Sequence, residues 1–158
     1  MYVRPLVESS CCVFSPSKRK DVALLEKIQN NFTRKILLRN GGFLHGRIPK
    51  ARFRNDYLGI SSLKSRRHYF DLVMVYKLIN HLIPISCTKF YSMRPSITRG
   101  GADKLFVRLP RTSLRATSFT VRAGLRYLKW SKARTVPASF TSFKRMAKAT
   151  ILRSDGNT

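Results

Sequence analysis

Metal-assisted phosphoryl transfer needs carboxylates brought together around cations, and this chain does not supply them by spacing. Its seven acids, Glu8, Asp21, Glu26, Asp56, Asp71, Asp103 and Asp155, stand singly, with no DxD, DD or ExxH pattern. His45, His68 and His81 have no partner at metal-ligand spacing and read as surface or helix-flank side chains. Gly41-Gly42 and Gly100-Gly101 lack the lysine and hydroxyl context of a phosphate-binding loop and read as turns. Cys11 and Cys12 are adjacent and Cys87 is far away, which gives neither a CxxC pair nor an even disulfide framework; free thiols are expected. The sequence therefore offers no catalytic, cofactor-binding or metal-ligating set.

What it offers instead is basic chemistry beside aromatic rings. Lys and Arg total 32 against 7 acids, a formal charge of +25. Self-repulsion of that size favours a polyanionic partner, nucleic acid first. The basic residues run through 64–67, 108–115 and 122–134, the last with Tyr127 and Trp130 interleaved. Phosphates are met by Arg and Lys and unstacked bases by aromatic faces. The candidate contacts are accordingly Arg66, Arg67, Arg108, Arg111, Arg115, Arg122, Arg126 and Lys129 for phosphates, with Tyr127 and Trp130 as stacking platforms. The competing reading is a solvated basic face over core aromatics. A membrane surface is the weaker polyanion. The N-terminus lacks signal-peptide order, and the apolar run after Phe70 is broken by Lys77, Asn80 and His81. The expected partners are RNA and DNA, with no membrane, in a nuclear or cytoplasmic rather than a secreted protein.

The elements that must carry these residues follow from periodicity. With 158 residues, 43% of them apolar, the chain can bury a core. Its centre is the stretch 58–83, apolar on more than one helical side: Leu63, Phe70, Met74 and Leu78 on one, Leu72, Val75, Tyr76, Ile79 and Leu82 on another. A helix of this kind has neighbours on several sides. Ser61 or Ser62 can cap its start, Pro84 ends it, and Arg67 and Asp71, four apart, can pair on it.

Upstream, Ser15-Pro16 predicts a helix over about 17–38 with the stripe Val22, Leu25, Ile28, Phe32 and Ile36, stopped by Asn40-Gly41-Gly42; Pro49 opens a short helix over 50–58. Downstream, 86–101 loses its period, and Leu105, Val107 and Leu109 give a weak strand signal that Pro110 can turn into a second strand ending near Thr117. Ser118 caps a helix with Val121, Leu125 and Leu128 inward and Arg122, Arg126 and Lys129 outward; Ser139 caps a last one with Phe140, Phe143 and Met146. The expectation is a mainly α, bundle-like fold with a short β-hairpin near 104–117. Its parts are a helical region over 1–83, an irregular connection over 84–117, C-terminal helices over 118–152 and a frayed tail over 153–158.

In order along the chain stand YVRPLVE, VFSP, DVALLEKIQNNFTRKI, LGISSLKSRRHYFDLVMVYKLI, TRGG, RTSLRATSFTVRAG and SFTSFKR. This series resembles the C-terminal part of reverse transcriptases encoded by non-LTR (LINE-type, jockey-like) retrotransposons. No single piece is specific, whereas their order and spacing over nearly the whole chain are. Lys64 stands where that family often has Glu, and Ser9-Ser10 where an aromatic is usual. The resemblance implies a thumb and post-thumb region of an RNA-directed DNA polymerase, without the aspartate-pair palm and thus no enzyme by itself. Its partners would be template, primer and that palm. An independent basic RNA-binding protein of ribosomal type is the alternative, and a nuclease a remote third.

Overall fold

The protein's structure, a computed structural model, describes residues 3–41, 48–95 and 103–152. Gly42, His45, the Gly100-Gly101 pair and the 153–158 tail lie outside the described residues. The fold is mainly helical with a small two-stranded antiparallel sheet. In chain order come α1 (Val3–Glu8), α2 (Arg19–Arg39), α3 (Ala51–Tyr57), α4 (Leu63–Ile79), a single 3-10 turn (Cys87–Lys89), β1 (Ser92–Pro95), β2 (Asp103–Phe106), α5 (Ser113–Thr117), α6 (Phe119–Lys132) and α7 (Phe140–Leu152).

Helix α4 is central, as its two apolar sides require. It packs against α2, α6 and α7. Ser62 is its cap: the Ser62 side chain accepts a hydrogen bond from the Ser65 N–H, satisfying one of the donors that a helix start leaves open. The helix ends earlier than Pro84 implies. After Ile79 the Leu82 N–H donates to Lys77 O at 2.9 Å and the His81 N–H to Leu78 O at 3.4 Å, with His81 at φ 54°. That is a left-handed C-terminal cap, made here by a histidine where glycine is usual. Leu82, expected in the core, is consequently exposed.

The core joins Leu72, Val75, Tyr76 and Leu78 of α4 to Tyr127 and Trp130 of α6, Phe143 and Ala147 of α7, and Tyr91 and Leu105 of the sheet region. Tyr76 stacks on Phe143 with ring centroids 3.9 Å apart. Its hydroxyl lies 2.9 Å from Pro137 O and 2.6 Å from Ala138 O, the acceptors for its hydrogen. Trp130 meets Phe143 edge-on at 5.3 Å and donates from Nε1 to Thr150 Oγ1 at 3.0 Å. Both buried rings thus pack against Phe143 and place their polar tips on acceptors.

Four expected arrangements differ. In α2 the buried line is Gln29, Thr33 and Leu37, spaced by four, while Ile28 is exposed. Polar residues hold that line because they have partners: Gln29 Nε2 donates to Ser61 O at 3.2 Å and Thr33 Oγ1 to Asn30 O at 3.1 Å. Its start is also later than Ser15-Pro16 suggests, with Lys18 at the cap position and no side-chain cap bond. The sheet does include a strand in the expected stretch, but β2 pairs with the upstream β1, Ser92 opposite Phe106 and Pro95 opposite Asp103. Residues 113–117 then form α5, capped by Thr112, whose side chain accepts from the Arg115 N–H.

The sheet lies close on α6 because Gly124 has no side chain. A Cβ there would fall 2.6 Å from Val107 Cγ2 and 2.8 Å from Tyr91 Cε1. The close approach sets the distance between α6 and the segment that carries Arg108 and Arg111.

Candidate nucleic-acid interface

The basic residues singled out above separate into three environments. Arg108, Arg111 and Arg115 are exposed and line one groove of about 440 Å3, with Phe90, Phe106 and Tyr91 along its apolar part. Among the described residues no acid lines it. The groove exists because β2 runs on through Val107 and Pro110 into the start of α5, so that one continuous segment, 106–115, forms its rim. Phe90, beyond the 3-10 turn, packs edge-on to Phe119 of α6 at 6.4 Å. Arg94 of β1 lies over the Phe106 ring at 3.4 Å, a cation held flat on an aromatic face.

Arg67, Arg122 and Arg126 are in a different place. They gather near Asp71 of α4, whose side chain is fully buried. Arg122 donates from Nε to Asp71 Oδ2 and from Nη2 to Oδ1, both at 3.1 Å, in a two-pronged pair. Arg126 Nη1 adds a bond to Oδ2 at 2.6 Å. Arg122 also reaches Thr117 O at 2.8 Å and Cys12 O at 2.7 Å, so one guanidinium ties α4, α5 and the turn after α1 together. This corrects the outward placement of Arg122 and Arg126: a buried carboxylate on the neighbouring helix draws them in, because an unpaired buried charge is far costlier than a paired one. Burial lowers the Arg126 pKa, with the Asp71 charge acting against that shift. The Arg67–Asp71 pair suggested by their spacing is not among the ion pairs of Asp71; Arg67 is 4% exposed, and its Nη2 is buried without a hydrogen-bond partner.

Arg66 and Lys129 make up the third group. Arg66 forms a two-pronged pair with Glu8 of α1 through Nε to Oε1 and through Nη2 to Oε2 at 2.6 Å, and its guanidinium lies 5.5 Å from the Phe70 ring centre. Lys129 is exposed on α6. Tyr127 and Trp130 are corrected from stacking platforms to core: each is 7% exposed, and burial pushes the Tyr127 hydroxyl up to about 12. Their faces are occupied by protein.

The groove's aromatics were missed by spacing. Phe106 was legible only as part of a strand, and Phe90 falls in an aperiodic stretch without any signal. His68 is a helix-flank histidine, half-buried on α4, and burial with the Arg126 charge lowers its pKa to about 4. Among the described residues no group of His, Cys, Asp or Glu is arranged to hold a metal ion, and no helix is long and apolar enough to cross a membrane. Cys11, Cys12 and Cys87 are free thiols. No protein-family model, curated protein or solved structure matches the chain.

Proposed function

We propose that this chain is the nucleic-acid-gripping thumb and post-thumb region of a non-LTR retrotransposon reverse transcriptase, working beside a palm that supplies the polymerase chemistry. The observation that carries the binding role is the groove in which Arg108, Arg111 and Arg115 stand exposed beside Phe90 and Phe106, with no acid among its described lining residues. Exposed guanidiniums exchange counterions for phosphates at little desolvation cost, and an exposed ring such as Phe90 can accept a base face. Such a site holds template and primer by backbone and stacking, with little preference for sequence, which is what a polymerase needs as it translocates. The assignment to this polymerase family rests on the ordered series of motifs.

An apolar patch supports a chain that works against a larger body. Val13, Phe14, Leu24 and Leu114 come together on the surface, Phe14 at 78% and Leu114 at 81% exposure. Contiguous exposed apolar side chains mark surfaces that another body covers, and a palm is the body this reading calls for.

Fluorescence anisotropy with an RNA–DNA hybrid, a DNA duplex and single strands tests the proposal. With about six phosphates engaged, log affinity for duplex DNA falls with log salt at a slope of about −5, and unrelated sequences bind alike. A flat salt titration contradicts it.

A further inference from the structure

A second basic concavity, of about 480 Å3, is formed where residues 15–17 and the first turns of α2 meet α4, α5 and α6. Arg19, Lys64, Arg67, Arg122 and Arg126 line it together with His68, and no acid is among its described lining residues. Asp21 shares the first turn of α2 with Arg19, and two further carboxylates reach the cavity's surroundings. Asp71 binds Arg122 and Arg126, one negative charge against two guanidiniums. Glu26 accepts a hydrogen bond from the backbone N–H of Lys64 at 2.8 Å, which leaves the Lys64 ammonium on an exposed side chain. The cations therefore outnumber their counter-charges inside a partly enclosed space.

Arg67 is the residue that this arrangement does not explain by itself. It is 4% exposed, it lines the cavity, and its Nη2 is shielded from water without an acceptor. A buried charged donor left unmade is among the costliest features a fold can keep. A turn of the Arg67 side chain towards the cavity it lines would bring this donor to an oxyanion held there. We propose that this cavity is a receptor for a phosphate dianion, either the phosphomonoester end of a nucleic acid or free phosphate, bound by Arg67, Arg19 and Lys64 against the wall formed by Arg122 and Arg126.

Charge and size favour a dianion over the singly charged phosphodiester of a continuous backbone. A guanidinium can give two parallel N–H donors to one phosphate, as Arg19 is free to do from its exposed position, and a volume at the lower end of ligand pockets holds a phosphate with part of a sugar, not a duplex track. His68 is neutral at pH 7 because burial and the Arg126, Lys64 and Arg67 charges lower its pKa, with Asp71 opposing them. It can thus donate a ring N–H without crowding a further charge into the free site. The inference stands apart from the groove at Arg108, Arg111 and Arg115, since it needs neither an extended strand nor an aromatic face.

Titration calorimetry of the full chain with inorganic phosphate, in chloride buffer of matched ionic strength, is the test. One saturable site is expected, weakened by at least about tenfold in Arg67→Met and unchanged in Arg108→Ala/Arg111→Ala. Circular dichroism checks the folding of Arg67→Met. Should it fail to fold, Arg19→Ala/Lys64→Ala, which removes two exposed cations, is expected to weaken phosphate by about threefold or more. A 5′-phosphorylated oligonucleotide set against its 5′-hydroxyl twin identifies the source. Tighter binding of the phosphorylated strand, lost with Arg67→Met or Arg19→Ala/Lys64→Ala, assigns a nucleic-acid end; equal binding of the twins beside a saturable phosphate site assigns free phosphate. Absence of saturable phosphate binding, or the same affinity in the folded cavity variants as in the parent, overturns the site, whatever the groove variants do to nucleic-acid binding.

Discussion

Two sets of arginines in this molecule, similar in sequence, are put to opposite uses. Arg122 and Arg126 lie on a helix beside a buried carboxylate and are fixed by it, whereas Arg108, Arg111 and Arg115 stand exposed on a segment with no acid among the described residues of their groove. A guanidinium satisfied by Asp71, Thr117 O and Cys12 O has few donors left for a phosphate. One that faces water has all of them. Counting basic residues therefore overstates the surface available for nucleic acid, and burial of the counter-charge decides which residues bind and which hold the fold.

The sharpest way to break that distinction is to remove the counter-charge. Asp71→Asn keeps the shape and deletes the charge that holds Arg122 and Arg126. Losing one partner of a buried pair costs about 3 to 5 kcal/mol, a large part of the roughly 5 to 15 kcal/mol available to a domain. Chemical denaturation of Asp71→Asn is expected to show that loss, together with weakened docking of α5 and of the turn at Cys12. A change under about 1 kcal/mol would place the cluster among exposed ion pairs and remove the contrast.

The next effect falls on the scaffold behind the groove. Gly124→Ala places a methyl within 3 Å of Val107 and Tyr91, both of which line the groove. Overpacking of this kind costs about 1 to 3 kcal/mol, set against a gain of about 1 kcal/mol in helix propensity. We expect net destabilisation in thermal melts and a weaker grip on nucleic acid, since the sheet must shift away from α6. Gly124→Ala with unchanged affinity would show that the groove does not depend on that close approach.

How much of this was legible depends on whether a residue's surroundings lie nearby in sequence. Helix α4 was, because Ser62 and an apolar pattern on two sides are local, and two-sided apolarity implies neighbours whatever they are. Its end was not, because Pro84 is the stronger local signal and nothing marks His81 for a left-handed conformation. The sidedness of α6 was misread for a similar reason. Arg122 and Arg126 turn inward only because Asp71 sits on another helix, 51 and 55 residues away. A local clue to the true face did exist: Ala123, Gly124, Tyr127 and Trp130 follow a spacing of three and four, with two small residues where the neighbour comes closest. The groove's exposed arginines were legible as basic residues, but their association with Phe90 is tertiary and has no sequence signature.

A smaller effect separates the cavity from the groove by pH. His68 has an ordinary pKa of 6.5 when unfolded and about 4 when folded. Between those values the unfolded chain takes up a proton that the folded one refuses, so this residue's contribution to stability falls as pH drops from 6.5 towards 4, and above 6.5 it contributes no pH dependence. Allowing for partial solvent screening, the loss at pH 5 is on the order of 1 kcal/mol. Melting temperatures of the parent and of His68→Gln at pH 7.5 and pH 5 check it: the variant's drop should be the smaller, and equal drops would return His68 to the surface.

The smallest effect on stability belongs to the groove and is the one that tests its role most directly. Arg111→Ala/Arg115→Ala removes two exposed guanidiniums, neither of which belongs to an ion pair of the Asp71 cluster. Exposed substitutions of this sort change stability by less than about 0.5 kcal/mol, so the melt should be indistinguishable from the parent's. Binding should not be. Each lost phosphate contact lowers the steepness of the salt dependence by about one unit, and the pair should flatten the slope by about two while weakening RNA, DNA and hybrid alike. Weakening confined to one sequence would mean base readout, and an unchanged slope would mean the groove meets no phosphate. A variant that loses stability and keeps its slope would invert the comparison, making the exposed arginines structural and leaving the cavity side of α5 as the surface that meets the polyanion.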